Sequence, residues 1–224
     1  MFDKILESLI RSVDMDEHLT PVYQGIIDGN LEIVKAKVQE AIQAKLPAGT
    51  ILKEGLVPAM AEVGRLFEAG EFFVPEMLVA ARAMQGGLEI LKPLLVAADI
   101  KPAGKVVIGT VKGDLHDIGK NLVSIMLEGA GFEIHDLGTD VLPEKFVEAV
   151  KTFHPQIVCM SALLTTTMTS MPVTVEAIKQ AGLRDQVKIM IGGAPVTDAY
   201  AKQIGADGYA QDASAAARLA QTYI

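Results

Sequence analysis

The spacing of hydrophobic residues changes near residue 104 and divides the chain into two parts. From residue 1 to about 95, apolar side chains recur three or four positions apart, as they do along one face of an α-helix. After residue 105, short apolar runs rich in β-branched residues alternate with amphipathic stretches. The pattern predicts a helical domain followed by an α/β domain.

Prolines and glycines divide the first part into segments of helical length. The predicted helices cover residues 2–13, 22–27, 31–44, 48–69 and 76–95. The connections between them are short, which is typical of antiparallel bundles. We therefore predict a four-helix-bundle domain over residues 1–96.

Residues 97–104 lose the helical spacing and contain Pro102 and Gly104. We take this stretch as an interdomain linker and as the natural hinge between the two parts. The second domain is then predicted to cover residues 105–224.

Strand-like and helix-like segments alternate throughout the second domain. Strands are predicted at 105–111, 132–136, 156–161, 187–191 and 207–210, with helices near 119–130, 143–153, 168–182, 197–204 and 213–223. Five strands alternating with helices predict a doubly wound parallel sheet, Rossmann-like or flavodoxin-like.

The stretch from Thr110 to Asn121 joins the end of the first strand to the start of the next helix. In open α/β sheets, ligands bind beyond such strand ends. A histidine on this loop is poorly placed for core packing and well placed to meet a ligand. The candidate ligand-binding residues of this loop are Gly113, Asp114, Leu115, His116, Asp117, Ile118 and Gly119.

Three further loops at the same edge of the predicted sheet carry small or hydroxyl residues. They cover residues 161–167, 192–195 and 211–214. Paired glycines let a ligand approach the backbone closely, and hydroxyls supply hydrogen bonds. Together with the first loop they predict a large ligand crossing the sheet edge.

Composition narrows the possible surroundings and partners. The net charge of −8 argues against a nucleic-acid surface. A single cysteine, Cys159, fits a reducing cytoplasm, and the N-terminus shows no signal-peptide pattern. No uninterrupted apolar run reaches the roughly 18 residues of a membrane span. We expect a cytoplasmic protein that contacts neither nucleic acid nor membrane.

Several other interpretations of the first loop compete. A phosphate-binding loop would have four residues between its glycines, whereas five separate Gly113 from Gly119, and Asn121 stands where Ser or Thr is required. A metal-dependent hydrolase needs further ligands, but His18, His135 and His154 lack ligand spacing to His116. A receiver-type domain would require more clustered acids than these loops carry. A purely structural histidine also remains possible, although the three matching loops reduce its weight.

Taken together, these loops resemble the cobalamin-binding fold. Its pattern of Asp-x-His-x-x-Gly, Ser-x-Leu and Gly-Gly stands here, in order, as Asp114-x-His116-x-x-Gly119, Ser161-x-Leu163 and Gly192-Gly193. The segment 64–76 resembles the helical cap of cobalamin-dependent methionine synthase. A cap and a cobalamin domain without further domains resemble the stand-alone corrinoid proteins of methylamine, methanol and methoxyaromatic methyltransferase systems.

The resemblance implies a corrinoid methyl-carrier protein that is not catalytically complete alone. Its cobalt would accept a methyl group as Co(I) from a methylated substrate through one methyltransferase. As methyl-Co(III) it would give that group to a second methyltransferase, with coenzyme M or tetrahydrofolate as acceptor. The implied partners are these substrate-specific and acceptor methyltransferases and a reductive activation protein.

The resemblance also assigns roles to residues. His116 would bind cobalt as the lower axial ligand and displace the dimethylbenzimidazole base of the cofactor, giving the base-off, His-on form. Asp114 and Thr167 would complete a hydrogen-bonded relay behind it. The nucleotide tail would pass Ser161, Leu163, Thr165, Gly192, Gly193 and Ala213.

The cap residues assigned by the resemblance are Phe67 and Val74, which would cover the methyl-bearing face of the corrinoid. Glu54 matches a cap residue that can approach the corrin ring, although its spacing to Phe67 differs by one residue. Without the resemblance, Phe67 and Val74 would be taken as ordinary bundle core.

A second function shares the same domains. Cobalamin-responsive sensors and repressors also combine a helical cap with a cobalamin domain, but they carry a basic DNA-binding module that this acidic chain lacks. Adenosylcobalamin mutase subunits share the binding domain but normally lack the cap.

Overall fold

The computed structural model describes residues 15–224, which form two compact units with the boundary between Ile100 and Lys101. The helix predicted at residues 2–13 lies outside the described residues. No helix within residues 15–224 is both long enough and apolar enough to cross a membrane.

The first unit is helical. Its helices are α1 (Thr20–Ile27), α2 (Leu31–Gln43), α3 (Ala48–Thr50), a π-helical turn (Ile51–Leu56), α4 (Val57–Glu68) and α5 (Val74–Ala97). The Asn30 side chain caps α2 by accepting a hydrogen bond from the Ile33 amide at 3.1 Å. Buried Val34, Val38, Met77 and Leu91 lie in the core of this unit.

The helix predicted at 48–69 is continuous from Ala48 to Glu68 but contains a π-helical turn. There the Val57 amide donates to the Leu52 carbonyl, five residues back. Pro58 follows directly and has no N–H, so the carbonyl of Glu54 cannot receive the regular hydrogen bond. The periodicity of apolar residues did not reveal this extra residue.

The second unit alternates strands and helices. The strands are β1 (Lys105–Thr110), β2 (Glu133–Asp136), β3 (Ile157–Ser161), β4 (Lys188–Gly192) and β5 (Gly208–Tyr209). The helices are α6 (Ile118–Gly129), α7 (Pro143–Phe153), α8 (Ser170–Gln180), α9 (Asp198–Ile204) and α10 (Ala213–Gln221), with a short 3₁₀ turn at Arg184–Gln186.

All five strands are parallel and lie in the order β2-β1-β3-β4-β5. Alternate β1 residues face opposite sides of the sheet. Val106 packs on the side of α6 and α10, and Val107 on the side of α7, α8 and α9. The predicted architecture, an N-terminal helical domain followed by a doubly wound parallel sheet of five strands, is confirmed.

The residues between the two units are largely tied to one or the other. The Ile100 amide donates to the Leu95 carbonyl, which extends the end of α5. The Gly104 carbonyl accepts from the Glu133 amide, which extends the pairing of β1 with β2, and the Ala103 amide donates to the Gly131 carbonyl. These hydrogen bonds leave Lys101 and Pro102 as the short connection within the predicted linker 97–104.

Candidate functional site

Three neighbouring strands end at the same level. In the strand register Thr110 at the end of β1 pairs with Ser161 of β3, and Ser161 pairs with Gly192 of β4. The chain leaves β1 toward β2 on one side, while β3, β4 and β5 follow on the other. The crevice between β1 and β3 is therefore the topological switch point, where ligands bind in doubly wound folds.

Asp114 lies at the centre of this crevice and is fully buried. Its Oδ1 accepts hydrogen bonds from the His116 amide at 3.0 Å and lies 2.7 Å from His116 Nδ1. Its Oδ2 accepts from the Leu163 amide at 2.8 Å and from Thr167 Oγ1 at 2.5 Å. A carboxylate on the β1 loop thus binds the β3 loop through both backbone and side chain.

These hydrogen bonds keep Asp114 charged. Burial by itself raises the pKa of a carboxyl group, but the hydrogen bonds from Thr167, from the His116 and Leu163 amides and from the His116 ring outweigh it. The pKa of Asp114 therefore lies well below its ordinary value. At neutral pH the side chain accepts hydrogen bonds only.

The charged state of Asp114 fixes the tautomer of His116. An ionised carboxylate has no proton to donate, so the proton between Asp114 and His116 belongs to Nδ1. In the neutral ring Nε2 then carries the lone pair, and half of the side chain (51 %) is exposed. Histidines that ligate a metal are commonly held in this way, with the other ring nitrogen bonded to a carboxylate.

Gly193 follows β4 and has a φ of +124°. A Cβ on this residue would lie 1.9 Å from the carbonyl oxygen of Ala162, just beyond β3. Glycine is therefore required because two backbone segments approach closely, and not simply to admit a ligand. The Ala162 amide also donates to the Gly192 carbonyl at 3.2 Å, which joins the two loops.

Known protein families match both units. A B12-binding domain model matches residues 104–218, and a second B12-binding domain model matches residues 19–92. The chain belongs to the B12-binding family of corrinoid proteins. The family expected from the sequence is thereby confirmed, and with it the binding of a corrinoid.

Relatives of known role are similar along nearly their whole length. The chain is 44 % identical to dimethylamine corrinoid protein 1 of Methanosarcina mazei, over 92 % of this chain and 95 % of the relative. It is 43 % identical to trimethylamine corrinoid protein 1 of Methanosarcina acetivorans, over 89 % and 93 %.

Two solved structures of corrinoid-related proteins are similar to this chain along most of its length. A cobalamin-binding protein from Desulfitobacterium hafniense has a TM-score of 0.78 and 34 % identity, over 92 % of this chain and 98 % of that one. A chain of the methanol:cobalamin methyltransferase complex of Methanosarcina barkeri has a TM-score of 0.83 and 31 % identity, over 92 % and 79 %.

The residues present fit a corrinoid. The two loops that carry and hold the Asp114–His116 pair also bear exposed apolar side chains, which suit the large apolar face of such a ring. They are Leu115 (73 % exposed), Ile118 (76 %), Leu163 (43 %) and Leu164 (45 %).

The other residues expected to bind the cofactor are placed at the same sheet edge. Ser161 is half-buried at the end of β3, and Thr165 is exposed on the following loop. Asp117 Oδ2 accepts from Asn121 Nδ2 at 3.2 Å in the first turn of α6. A Cβ added to Gly119 would have nothing within 4 Å, and Ala213 is buried at the start of α10.

The predicted cap residues lie on two consecutive helices of the first unit. Phe67, near the end of α4, and Val74, at the start of α5, are both half-buried and so are not pure core residues. Glu54 is exposed and lies within the π-helical turn. A π-helical turn contains one residue more than a regular helical turn.

Sequence reasoning missed several residues that hold the His116 loop. Thr110 Oγ1 donates to the His116 carbonyl at 2.9 Å, and Ser170 Oγ donates to the Lys112 carbonyl at 3.0 Å. Asp140 Oδ1 accepts from the Gly113 amide at 2.7 Å. The sequence carries a signal for Asp140, because this residue follows the second strand at the same sheet edge.

Lys120 is another residue near the His116 loop that the sequence patterns did not indicate. Its side chain is only 2 % exposed, although lysine is rarely buried. Its Nζ donates to Asp136 at the end of β2 and to Asn121 Oδ1 at 2.7 Å. This pairing fixes the first turn of α6, which directly follows the His116 loop, against the edge strand.

Proposed function

We propose that this protein is the methyl-carrying corrinoid subunit of a methylamine methyltransferase system. The observation that carries the proposal is the buried Asp114 carboxylate bonded to His116 Nδ1, which leaves Nε2 as a ligand for cobalt. The dimethylamine and trimethylamine corrinoid proteins among its relatives support methylamines as the source of the methyl group.

A bound corrinoid supplies a cobalt centre that can accept a methyl group and pass it on. His116 would hold that cobalt from below in place of the cofactor's own base, so the cofactor would be base-off and His-on. Asp114 would orient the ring and raise the basicity of Nε2, and Thr167 would hold the carboxylate from the β3 loop. Thr167 would thus hold Asp114, and Asp114 would hold His116.

The remaining loop residues would bind the body and the tail of the cofactor. Leu115 and Ile118 on one loop and Leu163 on the next would pack on the ring. Ser161 and Thr165 would supply hydrogen bonds to the nucleotide tail, which would pass Gly192, Gly193 and Ala213 on its way beside the sheet.

The helical unit would serve as a cap. Phe67 and Val74 would cover the face on which the methyl group is carried, and Glu54 would approach the ring edge. Excluding water would protect the strongly reducing form of the cofactor from side reactions. Because a covered face cannot meet a partner enzyme, the cap would have to move, with the connection at Lys101 and Pro102 as its hinge.

The proposed partners follow from the chemistry. One methyltransferase specific for a methylamine would load the protein, and a second would transfer the methyl group to coenzyme M or tetrahydrofolate. A reductive activation protein would restore the cofactor after accidental oxidation. The methylamine relatives favour this role over that of a cobalamin-responsive regulator.

Nitrogen-15 labelling tests the central claim. The protein is produced with nitrogen-15 histidine, loaded with ordinary cobalamin, reduced to Co(II) and examined by electron paramagnetic resonance. A histidine ligand converts the nitrogen splitting from a triplet to a doublet. An unchanged triplet means that dimethylbenzimidazole remains bound to cobalt and refutes the proposed site.

A second experiment tests the methyl donor. The reduced holo-protein is mixed with methyltransferases of the monomethylamine, dimethylamine, trimethylamine and methanol classes, each with its own substrate. Methylation is followed from the absorption spectrum. Methylation only by the methanol enzyme would contradict the methylamine assignment while leaving the methyl-carrier role intact.

A further inference from the structure

Asp140 has an unusual backbone for an exposed residue. Its φ is +54°, in the left-handed region that residues other than glycine, asparagine and aspartate rarely adopt. It lies on the loop between β2 and α7. Since its side chain is exposed, packing does not explain why an aspartate rather than a glycine stands there.

The hydrogen bonds of Asp140 supply a reason. Its Oδ1 accepts from the Gly113 amide at 2.7 Å, and its own amide donates to the Asp114 carbonyl at 2.9 Å. Asp140 therefore holds the backbone of the β1 loop at two points, the amide of Gly113 and the carbonyl of Asp114. Gly113 itself has a φ of +83°, which turns the chain just before Asp114 enters the interior.

The segment that carries Asp140 is firmly attached to β1. The Thr110 amide donates to the Gly138 carbonyl at 2.9 Å, and the Val141 amide donates to the Thr110 carbonyl at the same distance. Val111 and Val141 form a further parallel bridge. The carboxylate of Asp140 thus acts from a rigid extension of the sheet and not from a free loop.

Asp114 cannot shift far without weakening its hydrogen bonds. Its two oxygens serve His116, Leu163 and Thr167 at distances between 2.5 and 3.0 Å. A small displacement of the Gly113–Asp114 backbone would lengthen these hydrogen bonds and turn the His116 ring. Metal affinity depends on such outer contacts.

We infer that Asp140 is a positioning residue that holds the Asp114–His116 pair in the geometry required for ligating cobalt. This inference rests on the proposed corrinoid function. The hydrogen bonds of Asp140 go to the backbone of the β1 loop, and it acts on the pair through that backbone.

The test uses the full chain and three variants. Asp140→Gly removes the carboxylate and also relieves the left-handed backbone, so a purely conformational role predicts no loss. Asp140→Asn keeps an acceptor oxygen and tolerates the same φ. Asp99→Gly is the matched control, since Asp99 has a φ of +51° in the helical unit.

Two readouts separate the inference from the proposed function. The first is amide hydrogen exchange of peptides spanning residues 111–118 in the cofactor-free protein. The second is cobalamin affinity together with the fraction of Co(II) that shows the histidine doublet. The first requires no cofactor, and the second reports on the ligand geometry.

We expect Asp140→Gly to speed exchange over residues 111–118, to raise the Kd for cobalamin about 10- to 100-fold and to lower the His-ligated fraction. Asp140→Asn should remain close to the unaltered protein, and so should Asp99→Gly.

Unchanged exchange, Kd and His-ligated fraction in Asp140→Gly overturn the inference, and so does an Asn variant as impaired as the Gly variant. An unaltered protein that never shows the histidine doublet overturns the proposed function instead.

Discussion

Thr167 Oγ1 donates a 2.5 Å hydrogen bond to Asp114 Oδ2, and the two residues are 53 positions apart in the chain. Both are buried, and Thr167 Oγ1 also lies 2.9 Å from the Leu164 carbonyl. A hydroxyl on the β3 loop therefore ends a chain of contacts that begins at the His116 ring. Because the carboxylate is charged, this hydrogen bond belongs to the stronger class.

Thr167→Val should lower the free energy of unfolding of the cofactor-free protein by about 1–3 kcal/mol, because one oxygen of a buried carboxylate loses a donor. Denaturation by urea measures the change. Thr167→Ser keeps the hydroxyl and should lose much less. Thr169→Val is the control, since Thr169 is exposed and its hydroxyl donates only to the nearby Thr166 carbonyl. Equal losses in Thr167→Val and Thr169→Val would contradict a special role for Thr167.

The stabilisation due to the Asp114 charge should depend on pH in a defined direction. Its pKa is lowered in the folded protein, so its stabilising contribution is complete above the ordinary carboxyl value of about 3.9 and is lost as the pH falls toward the lowered pKa.

The measurement compares the unaltered protein with Asp114→Asn. The difference in free energy of unfolding should shrink as the pH falls below about 4. A difference that grows on acidification would contradict the lowered pKa of Asp114 in the folded protein.

His116→Ala should abolish the histidine signal in the Co(II) spectrum and weaken cobalamin binding, because no other side chain supplies a ring nitrogen on the first loop. His154→Asn is the matched control. His154 is exposed, with a φ of +49° after α7, a backbone that asparagine tolerates. Substitutions of His18 and His135 should likewise leave binding unchanged. Comparable losses from all four histidines would exclude His116 as the specific ligand.

Gly193→Ala should distort the β4 loop, because the added Cβ would lie 1.9 Å from the Ala162 carbonyl oxygen. Backbone must then move, so we expect a lower melting temperature and weaker cobalamin binding. Gly182→Ala provides the control: Gly182 has a φ of +71° with nothing within 4 Å of the added Cβ. It tests backbone strain alone, and a Gly193 variant no worse than Gly182→Ala would falsify the close-contact explanation.

The sequence alone determined the two-domain organisation, the alternation of strands and helices and the residues of the first loop. Apolar spacing reports which face of a segment is buried, and that is a local property. The contact between Asp114 and His116 at 2.7 Å was expected through the resemblance of the Asp114-x-His116-x-x-Gly119 pattern to the cobalamin-binding fold.

Other features depended on which segments meet in space. The strand order placed Asp140 beside Gly113 and Thr167 beside Asp114, although each pair is far apart in the chain. The pairing of Lys120 with Asp136 and the approach of Ala162 to Gly193 have the same origin. Local patterns carry no distance between remote segments. The parallel register of β2, β1, β3 and β4 sets those distances, and so only the tertiary structure decided how the His116 loop is held.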